Sequence, residues 1–367
     1  MLRIHDASAE AVYAVPSCLL IFSCCGAGHC KRSLRLDSGF QFLGHGTKLI
    51  TDGFAGTTFF SNRRNVTKLN RLIRFVLLSS AILGLPVAAI SQQDAALRSA
   101  IQRVVDTSRA RVGVAIEGLD FRDSIVLNGE RKYPMQSTYK FPLALCVLYQ
   151  IEQGRYTLAT KVHIAKSDLD TNTMSPMSRK YFGESVDLSI DELLNYCVSE
   201  SDNIACDLLF KYVGGTHAVN DYVHSLGVSE IAIVATERQM RKSWSVQYSN
   251  WCKPAAMLGL LKRFYEGQVL DSLHTVYLLR LMTGSGNSEN RIKGKLPAGA
   301  VVAHKTGSSA RNYDLIAATN DIGIVTLPNG RHFAIVVFVS DFKGGYERGE
   351  NLIARIARLA WDAFSNH

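Results

Sequence analysis

The 367-residue chain has no basic stripe with interleaved aromatic residues, and its ten histidines show no ligand-spaced pair near the motifs described below. The first absence argues against nucleic acid as a partner, and the second argues against a metal-dependent reaction. The formal net charge is +9, but residues 1–91 carry ten Lys or Arg against four Asp or Glu, so only +3 belongs to the rest. No apolar run of bilayer-spanning length follows Gln92, so we expect no stable membrane span in the mature chain.

Cysteine is the next informative residue type. Hydrophobic residues make up 47% of the chain and charged residues 20%, which is typical of a globular protein of one or two domains. The eight cysteines fall in two sets of four: Cys18, Cys24, Cys25 and Cys30, then Cys146, Cys197, Cys206 and Cys252. The first set lacks the paired spacing of a zinc site. The second set lies in apolar segments, which favours buried free thiols, although an exported chain could oxidise one pair.

Residues 66–91 have the composition of a secretory signal peptide. Three cations at residues 68–74 precede the apolar segment Phe75–Ala89, and small residues then predict cleavage before Gln92. This predicts a periplasmic protein. Because such peptides begin near the start of a chain, one interpretation is that residues 1–65 are upstream sequence and that translation begins near residues 66–69. A long genuine leader is the alternative.

Hydrophobic periodicity predicts strands at both ends of the mature chain and helices between them. The predicted helices are Asp94–Thr107, Ala144–Gln153, Ser189–Ser199, Asn203–Val213, His217–Leu226, Pro254–Tyr265 and Asn351–Phe364. The predicted strands are Arg111–Leu119, Ser124–Leu127, Ala300–His304, Tyr313–Ile324 and His332–Val339. This order predicts an α+β fold, with an antiparallel sheet of about five strands from both chain ends flanked by helices. Residues 92–134 and 286–367 would form that α/β domain, residues 135–285 an all-helical domain, and the site would lie in the cleft between them.

A serine and a lysine three residues apart stand at the start of an apolar run, in Ser137-Thr138-Tyr139-Lys140. On a helix these positions share a face, so the lysine amine can reach the serine hydroxyl. A serine needs a base to become a nucleophile, and a lysine desolvated beside other cations can lose its proton near neutral pH. Pro142 lies inside the same predicted helix and should bend it. The spacing alone is common, so the rest of the chain must support the assignment.

Two further motifs follow. Ser201-Asp202-Asn203 stands where a helix should begin, so it is either an ordinary N-cap or a site in which Ser201 relays a proton. Lys305-Thr306-Gly307 follows an apolar strand. A lysine and a threonine there can bind a carboxylate, and glycine allows a close backbone approach; a strand end with an exposed lysine amine is the alternative.

The three motifs in this order are those of penicillin-binding proteins and class A β-lactamases. From about Asp94 to the C-terminus the chain resembles the serine β-lactamase family. The resemblance implies a glutamate on a loop between the second and third motifs, and Glu237 lies in that interval. Such a carboxylate activates the water that cleaves the acyl-enzyme ester; a solvated loop glutamate is the alternative.

The loop around Glu237 departs from the common pattern of the family. Arg241 occupies the usual asparagine position, and the usual Arg–Asp pair would fall at Ala235 and Asn250. About four extra residues lie between the first two motifs. With Gln136 and His304, these features resemble the extended-spectrum, cephalosporin-hydrolysing branch. The cysteine pair of some carbapenem-hydrolysing members would need Cys at Gln136 and Ser309, so we do not expect that activity.

The resemblance also implies a role for each matched residue. Ser137 would be acylated, Lys140 would be its base or proton shuttle, and Ser201 would protonate the β-lactam nitrogen. Asn203 would hold the acylamide side chain, and Glu237 would serve deacylation. The substrate carboxylate would meet Lys305, Thr306 and Arg291, the last of which could instead be an exposed loop residue. Gly307 would allow the ligand to approach, and the backbone N–H groups of Ser137 and Ser308 would form an oxyanion hole.

No cofactor or metal is implied, and the expected protein is a monomer that acts on a small β-lactam. Two rival functions share the three motifs. One is a D-alanyl-D-alanine peptidase, which Glu237 and the short chain after the signal peptide make less favoured. The other is a β-lactam sensor that stays acylated, which normally hangs from a membrane segment and lacks the loop glutamate.

Overall fold

In the computed structural model the described residues are 12–15, 18–21, 94–121, 123–286 and 289–365. The predicted signal peptide at residues 66–91 lies outside them. The chain separates into two compact units, Met1–Asn70 and Arg71–His367. In the first, strands β1 (Val12–Val15) and β2 (Cys18–Ile21) pair antiparallel. The division of the mature chain into an α/β and a helical domain stays a prediction.

A six-stranded antiparallel sheet organises the second unit, close to the prediction of about five strands. Its order is β10 (Val301–Ser308), β12 (Leu315–Thr326), β13 (His332–Phe342), β3 (Arg111–Gly118) and β4 (Ser124–Leu127), and the two-residue strand β11 (Arg311–Asn312) folds back on β12. Strands from the two ends of the chain meet where β13 pairs with β3, from Phe333↔Gly118 to Ser340↔Arg111. Long runs of Val, Ile and Phe make these central strands, which are buried on both faces.

The two faces of the sheet belong to two apolar cores. On β13, Val336 and Phe338 pack with the helices of the middle of the chain, whereas Val337 and Val339 pack with α1 (residues 94–106) and α10 (Tyr346–Phe364). This alternation follows from the two-residue period of a strand. It explains why the terminal helices cover one face only.

The core that includes Val336 and Phe338 contains most of the remaining elements. Its helices are α2 (Lys140–Glu152), α3 (Pro176–Lys180), α4 (Ile190–Val198), α5 (Asn203–Val213), α6 (Thr216–Ser225), α7 (Glu237–Met240), α8 (Pro254–Tyr265) and α9 (Ser272–Thr283). Short strands join them: β5 (Tyr133–Pro134), β8 (Ile231–Ala232) and β9 (Trp251–Cys252) in one sheet, and β6 (Lys161–Ile164) with β7 (Val186–Ser189) in another. Within the described residues, no helix combines the length and the apolar character needed to span a bilayer.

Several sequence predictions need correction. Strand β10 continues past His304 to Ser308, so Lys305-Thr306-Gly307 lies within the strand rather than after it. Helix α2 begins at Lys140, which places Pro142 in its first turn, where a backbone N–H has no partner inside the helix. The prediction missed α3, α9 and the β6–β7 hairpin. The predicted free thiols are confirmed: Cys146, Cys197, Cys206 and Cys252 are buried and unpaired.

Candidate active site

Ser137 lies in a 3₁₀ turn, Gln136–Tyr139, that leads directly into α2. The preceding Gln136 has a φ of 49°, a left-handed conformation that is uncommon for a residue with a side chain. The Nδ2 atom of Asn320, on β12, donates to the carbonyls of Pro134 (2.8 Å) and Met135 (3.0 Å). The sheet therefore fixes the backbone just before the serine.

Gly307 brings β10 against this turn. A Cβ atom at position 307 would lie 2.7 Å from the Met135 carbonyl oxygen and 3.0 Å from the Ser137 backbone nitrogen. Real Cβ atoms do not approach backbone atoms so closely, so only glycine fits without a shift. The third residue of the Lys-Thr-Gly motif is thus required by packing against the serine turn.

Lys140 is fully buried and joins three parts of the site. Its Nζ donates to the Ser201 carbonyl oxygen at 2.7 Å and to Asn203 Oδ1 at 2.7 Å, and lies 3.3 Å from Glu237 Oε1. Burial is the largest influence on the pKa of Lys140 and by itself would lower it, but Glu237 together with the buried groups Cys206, Cys197 and Asp202 more than offsets it, so the pKa lies above its ordinary value. The direction of this shift is opposite to the lowering expected for a lysine that is desolvated beside other cations.

The lysine with a lowered pKa is Lys305. Burial, reinforced by the positive charge of Lys140, lowers the pKa of Lys305 to about 7. Its Nζ lies 2.9 Å from Ser201 Oγ. Ser201 has a φ of 57°, and its neighbour Asp202 caps α5 by accepting from the N–H groups of Ile204 and Ala205. Cap and site thus share one motif, because Asp202 fixes the turn that carries Ser201.

Asn203 is held from both sides. Its Oδ1 accepts from Lys140, and its Nδ2 donates to Thr173 Oγ1 at 2.9 Å. These two partners fix which way the oxygen and the nitrogen of the amide point, so the amide is oriented before any ligand arrives.

Glu237 begins the short helix α7 and is buried, so the alternative of a solvated loop glutamate is wrong. Asp207, one turn after Asn203 on α5, accepts from the backbone N–H groups of Glu237 (2.7 Å) and Arg238 (2.9 Å). Burial raises the pKa of Asp207 to about 6. Asp207 was not among the predicted site residues, although its spacing of four residues from Asn203 puts both on one helix face.

Asn250 closes the loop in place of an ion pair. Its Oδ1 accepts from the N–H groups of Val234 (2.8 Å) and Ala235 (2.9 Å), and its Nδ2 donates to the Ala235 carbonyl at 2.7 Å. Arg241 instead ties the loop to a neighbouring segment, through Asp170 at 2.9 Å and the Asn172 carbonyl at 3.1 Å. The hydrogen bonds of Asn250 and Arg241 therefore hold the loop where the common family pattern would use an Arg–Asp pair and an asparagine.

Arg291 is buried rather than exposed on a loop, so that alternative is wrong. Its guanidinium donates to the carbonyls of Gly307 (3.1 Å) and Asn320 (2.7 Å) and to Ser308 Oγ (2.6 Å). It lies behind the strand that carries the third motif and braces it.

A cavity of about 330 Å³ brings the predicted residues together. Its walls are Ser137, Met174, Ser201, Asn203, Glu237, Thr306, Gly307 and Ser308, with Lys140 and Lys305 buried. An adjoining cavity of about 770 Å³ shares several of these residues and is also lined by Met240, Arg241 and Trp244. Glu152, Asp271 and His274, whose side chains are of types that can ligate a metal, converge at the junction of α2 and α9, where Glu152 bonds to the Asp271 backbone N–H and to the His274 ring. Those three residues line neither cavity.

The site lies between a sheet edge and a helical region, and it contains a serine, two lysines and a buried glutamate. This combination defines a serine hydrolase of the β-lactamase and transpeptidase type. The family profile described as "Beta-lactamase enzyme family" matches residues 96–364. The β-lactamase VEB-1 of Pseudomonas aeruginosa is 38% identical over 298 residues, which cover 81% of this chain and 99% of VEB-1. The chain belongs to this family, in class A, and is a hydrolase that acts on β-lactams.

Solved structures agree with this assignment. A β-lactamase from Chitinophaga pinensis has a TM-score of 0.72 and 48% identity, covering 73% of this chain and 99% of its own. The TLA-1 extended-spectrum β-lactamase also has a TM-score of 0.72, with 46% identity, covering 74% of this chain and 98% of its own. The α+β fold with its antiparallel sheet and flanking helices is therefore shared with these enzymes.

Proposed function

We propose that this protein hydrolyses the β-lactam amide of penicillins and cephalosporins through an acyl-enzyme on Ser137, and so confers antibiotic resistance. The observation that carries the mechanism is the position of Lys140, whose Nζ contacts Ser201, Asn203 and Glu237 beneath the cavity that Ser137 lines. Ser137 Oγ attacks the β-lactam carbonyl carbon and the ring C–N bond breaks. Water then cleaves the resulting ester and releases the ring-opened amino acid.

Proton movement in the acylation step begins from a charged Lys140. Because the pKa of Lys140 is raised, this lysine acts as a base only after passing its proton to Glu237, 3.3 Å away. The Glu237 carboxylate can also take the serine proton through a water molecule, so either group serves as the acylation base. In the second step Glu237 takes the proton of the attacking water.

The leaving nitrogen receives its proton from Ser201, and the proton that left Ser137 replaces it by way of Lys140, which frees Glu237 for the second step. Lys305 lies 2.9 Å from the Ser201 hydroxyl and stabilises the oxygen as that proton leaves. The backbone N–H groups of Ser137 and Ser308 bind the carbonyl oxygen as negative charge develops on it. Such donors are each worth about 3–4 kcal/mol of barrier in comparable enzymes.

The substrate carboxylate meets Lys305 and Thr306, with the Ser308 hydroxyl beside them. We assign Arg291 to positioning rather than to direct contact, because its guanidinium is 3% exposed and already bonded to Ser308 Oγ and two carbonyls. Asn203 holds the acylamide group. The 770 Å³ cavity next to it supports bulky side chains, in line with the extended-spectrum designation of TLA-1.

We propose further that the enzyme acts in the periplasm, after removal of a signal peptide that ends before Gln92. It acts as a monomer on a small β-lactam, without a cofactor, a metal or a nucleic-acid partner.

The test mixes the purified protein, as wild type and as Glu237→Gln, with a chromogenic cephalosporin, and follows both hydrolysis and intact protein mass. We expect fast turnover by the wild type and a trapped acyl adduct on Glu237→Gln, because the variant acylates but lacks the base for water. Glu230→Gln is the matched control, since Glu230 pairs with Lys253 at the surface. Ser137→Ala should form no adduct.

A stable adduct on the wild type would contradict the proposal and favour a cell-wall peptidase or a β-lactam sensor. Equal turnover by wild type and Glu237→Gln would remove Glu237 from the deacylation step.

A further inference from the structure

A separate cavity of about 410 Å³ lies between α1, α10 and the end of β13. We call it the α1–α10 cavity. Its apolar lining consists of Ala110, which is partly exposed, and of four core side chains less than a tenth exposed, Val104, Val339, Phe342 and Leu352. It shares no lining residue with the two cavities around Ser137. Its volume falls within the range of about 300–1,000 Å³ found for small-molecule sites.

Two guanidinium groups stand at the rim of this cavity. Arg348 and Arg355 are seven residues apart on α10, so both side chains lie on one face of the helix. Arg348 donates to the carbonyls of Ser108 (2.8 Å) and Lys343 (3.3 Å), which hold it across the opening. Among the described residues, neither arginine has a carboxylate within 4 Å.

The charge balance at the rim favours an anion. Glu347 is the one acidic residue among those that line the cavity, against the two arginines. A guanidinium binds a carboxylate or sulfonate through paired hydrogen bonds, and its attraction is strongest beside apolar surface that excludes water. A hydrocarbon or aromatic group would at the same time lie against Ala110 and the small exposed edges of Val104 and Leu352.

We propose that the α1–α10 cavity binds a small amphipathic organic anion, with its acidic group between Arg348 and Arg355 and its apolar part on the core side chains. This site is independent of β-lactam hydrolysis and of the residues assigned to it. The chemistry fits an aryl sulfonate, an aryl carboxylate or a medium-chain fatty acid.

The first experiment titrates the full chain with 8-anilinonaphthalene-1-sulfonate, whose fluorescence rises in apolar surroundings. We expect saturation at one probe per chain, and a Kd raised roughly five- to tenfold in Arg355→Gln through loss of a charged hydrogen bond. Arg358→Gln is the matched control on the same helix, because Arg358 pairs with Asp362 outside the cavity. Its Kd should equal that of the wild type.

Two further arms decide the site and the charge requirement. Asn351→Phe, at the cavity rim, should block the probe while leaving cephalosporin hydrolysis unchanged. Decanoate should displace the probe at concentrations where neutral decanol does not. Equal probe affinity in Arg355→Gln and Arg358→Gln, displacement by a β-lactam, or equal displacement by decanol would each overturn the proposal.

Discussion

One wall of the catalytic cleft is strand β10, whereas the opposite wall is the loop from Ala235 to Asn250. Strand β10 is paired with β12 along its whole length, from Val301↔Thr326 to Ser308↔Thr319. The loop carries Glu237 on a single helical turn and is held by side chains from elsewhere. The first wall is fixed by a repeating backbone pattern, and the second by a few individual contacts.

The difference matters for stability as well as position. Although β10 is an edge strand, it pairs with β12 through many backbone hydrogen bonds, so the loss of one side chain should shift it little. The loop depends on Asn250, Asp207 and Arg241, each of which makes several of its contacts. We therefore expect the loop wall to be the more easily loosened, and regions of few contacts open first in native proteins.

The largest effect should come from crowding the strand wall. Gly307→Ala would force β10 away from the Ser137 turn, because the added Cβ meets the Met135 carbonyl at 2.7 Å. We expect kcat/KM for a cephalosporin to fall about a hundredfold or more, since small misplacements of reacting groups are costly. Gly259→Ala is the control, because an added Cβ there has no atom within 4 Å. A near-normal rate in Gly307→Ala would show that β10 accommodates the added Cβ atom without displacing the reacting groups, and it would contradict this prediction.

Within the loop wall, the largest loss of stability should come from removing the buried side-chain amide of Asn250. Asn250→Ala removes three hydrogen bonds and leaves buried backbone groups unpaired, so the free energy of unfolding in urea should fall by roughly 2–3 kcal/mol. Glu237 should lose its position, and kcat should fall with it. Asn220→Ala, which removes one bond to the Ile233 N–H, should cost about 1 kcal/mol. Equal losses in the two variants would contradict this account.

Lys305, on the strand wall, should make the stability of the protein depend on pH. Because the pKa of Lys305 is about 7 in the folded protein and about 10.4 in an unfolded chain, the unfolded state binds more protons between these values. Stability contributed by this group therefore rises as pH increases from 7 toward 10, by a few kcal/mol in all. Urea unfolding at pH 6, 7, 8 and 9 should show a steeper rise for wild type than for Lys305→Met. Parallel curves would assign Lys305 an ordinary pKa.

The smallest effect should come from Arg241. Its pair with Asp170 is about one third exposed on each side, and such pairs contribute at most about 1 kcal/mol. Arg241→Ala should therefore lower the unfolding free energy by less than that and change kcat by less than about twofold. The surface pair of Lys161 with Glu192 offers a control in Lys161→Ala. A loss above 2 kcal/mol would make Arg241 as important to the loop as Asn250.

The features predicted well are those written in short stretches of sequence. The richness of residues 332–339 in Val, Ile and Ala predicted a strand, and the apolar face of residues 94–107 predicted a helix; both are confirmed, within a few residues. The three motifs lie where packing forces specific residue types, such as glycine at position 307. At these positions the residue types that the motifs contain are the ones that the packing of the fold requires. The motifs could therefore be identified from the sequence alone.

The features missed depend on contacts between distant residues. Nothing near Asn250 in the sequence indicates that its amide would replace an ion pair, because its partners lie 15 and 16 residues away. Arg291 was expected to meet substrate, but the fold buries it against Gly307, Ser308 and Asn320. Helix α9 was missed because its apolar pattern is weak and its exposed face carries Leu273 and Val276.

The sequence by itself determined the order of elements, the three motifs and the family of the chain, because periodicity and motif spacing are local properties. Only the tertiary structure decided which lysine keeps its proton. Lys140 and Lys305 are both buried, yet Glu237 lies beside the first while the positive charge of Lys140 acts on the second. A pKa depends on the charges that folding brings close, and here those charges come from residues 97 and 165 positions away in the chain.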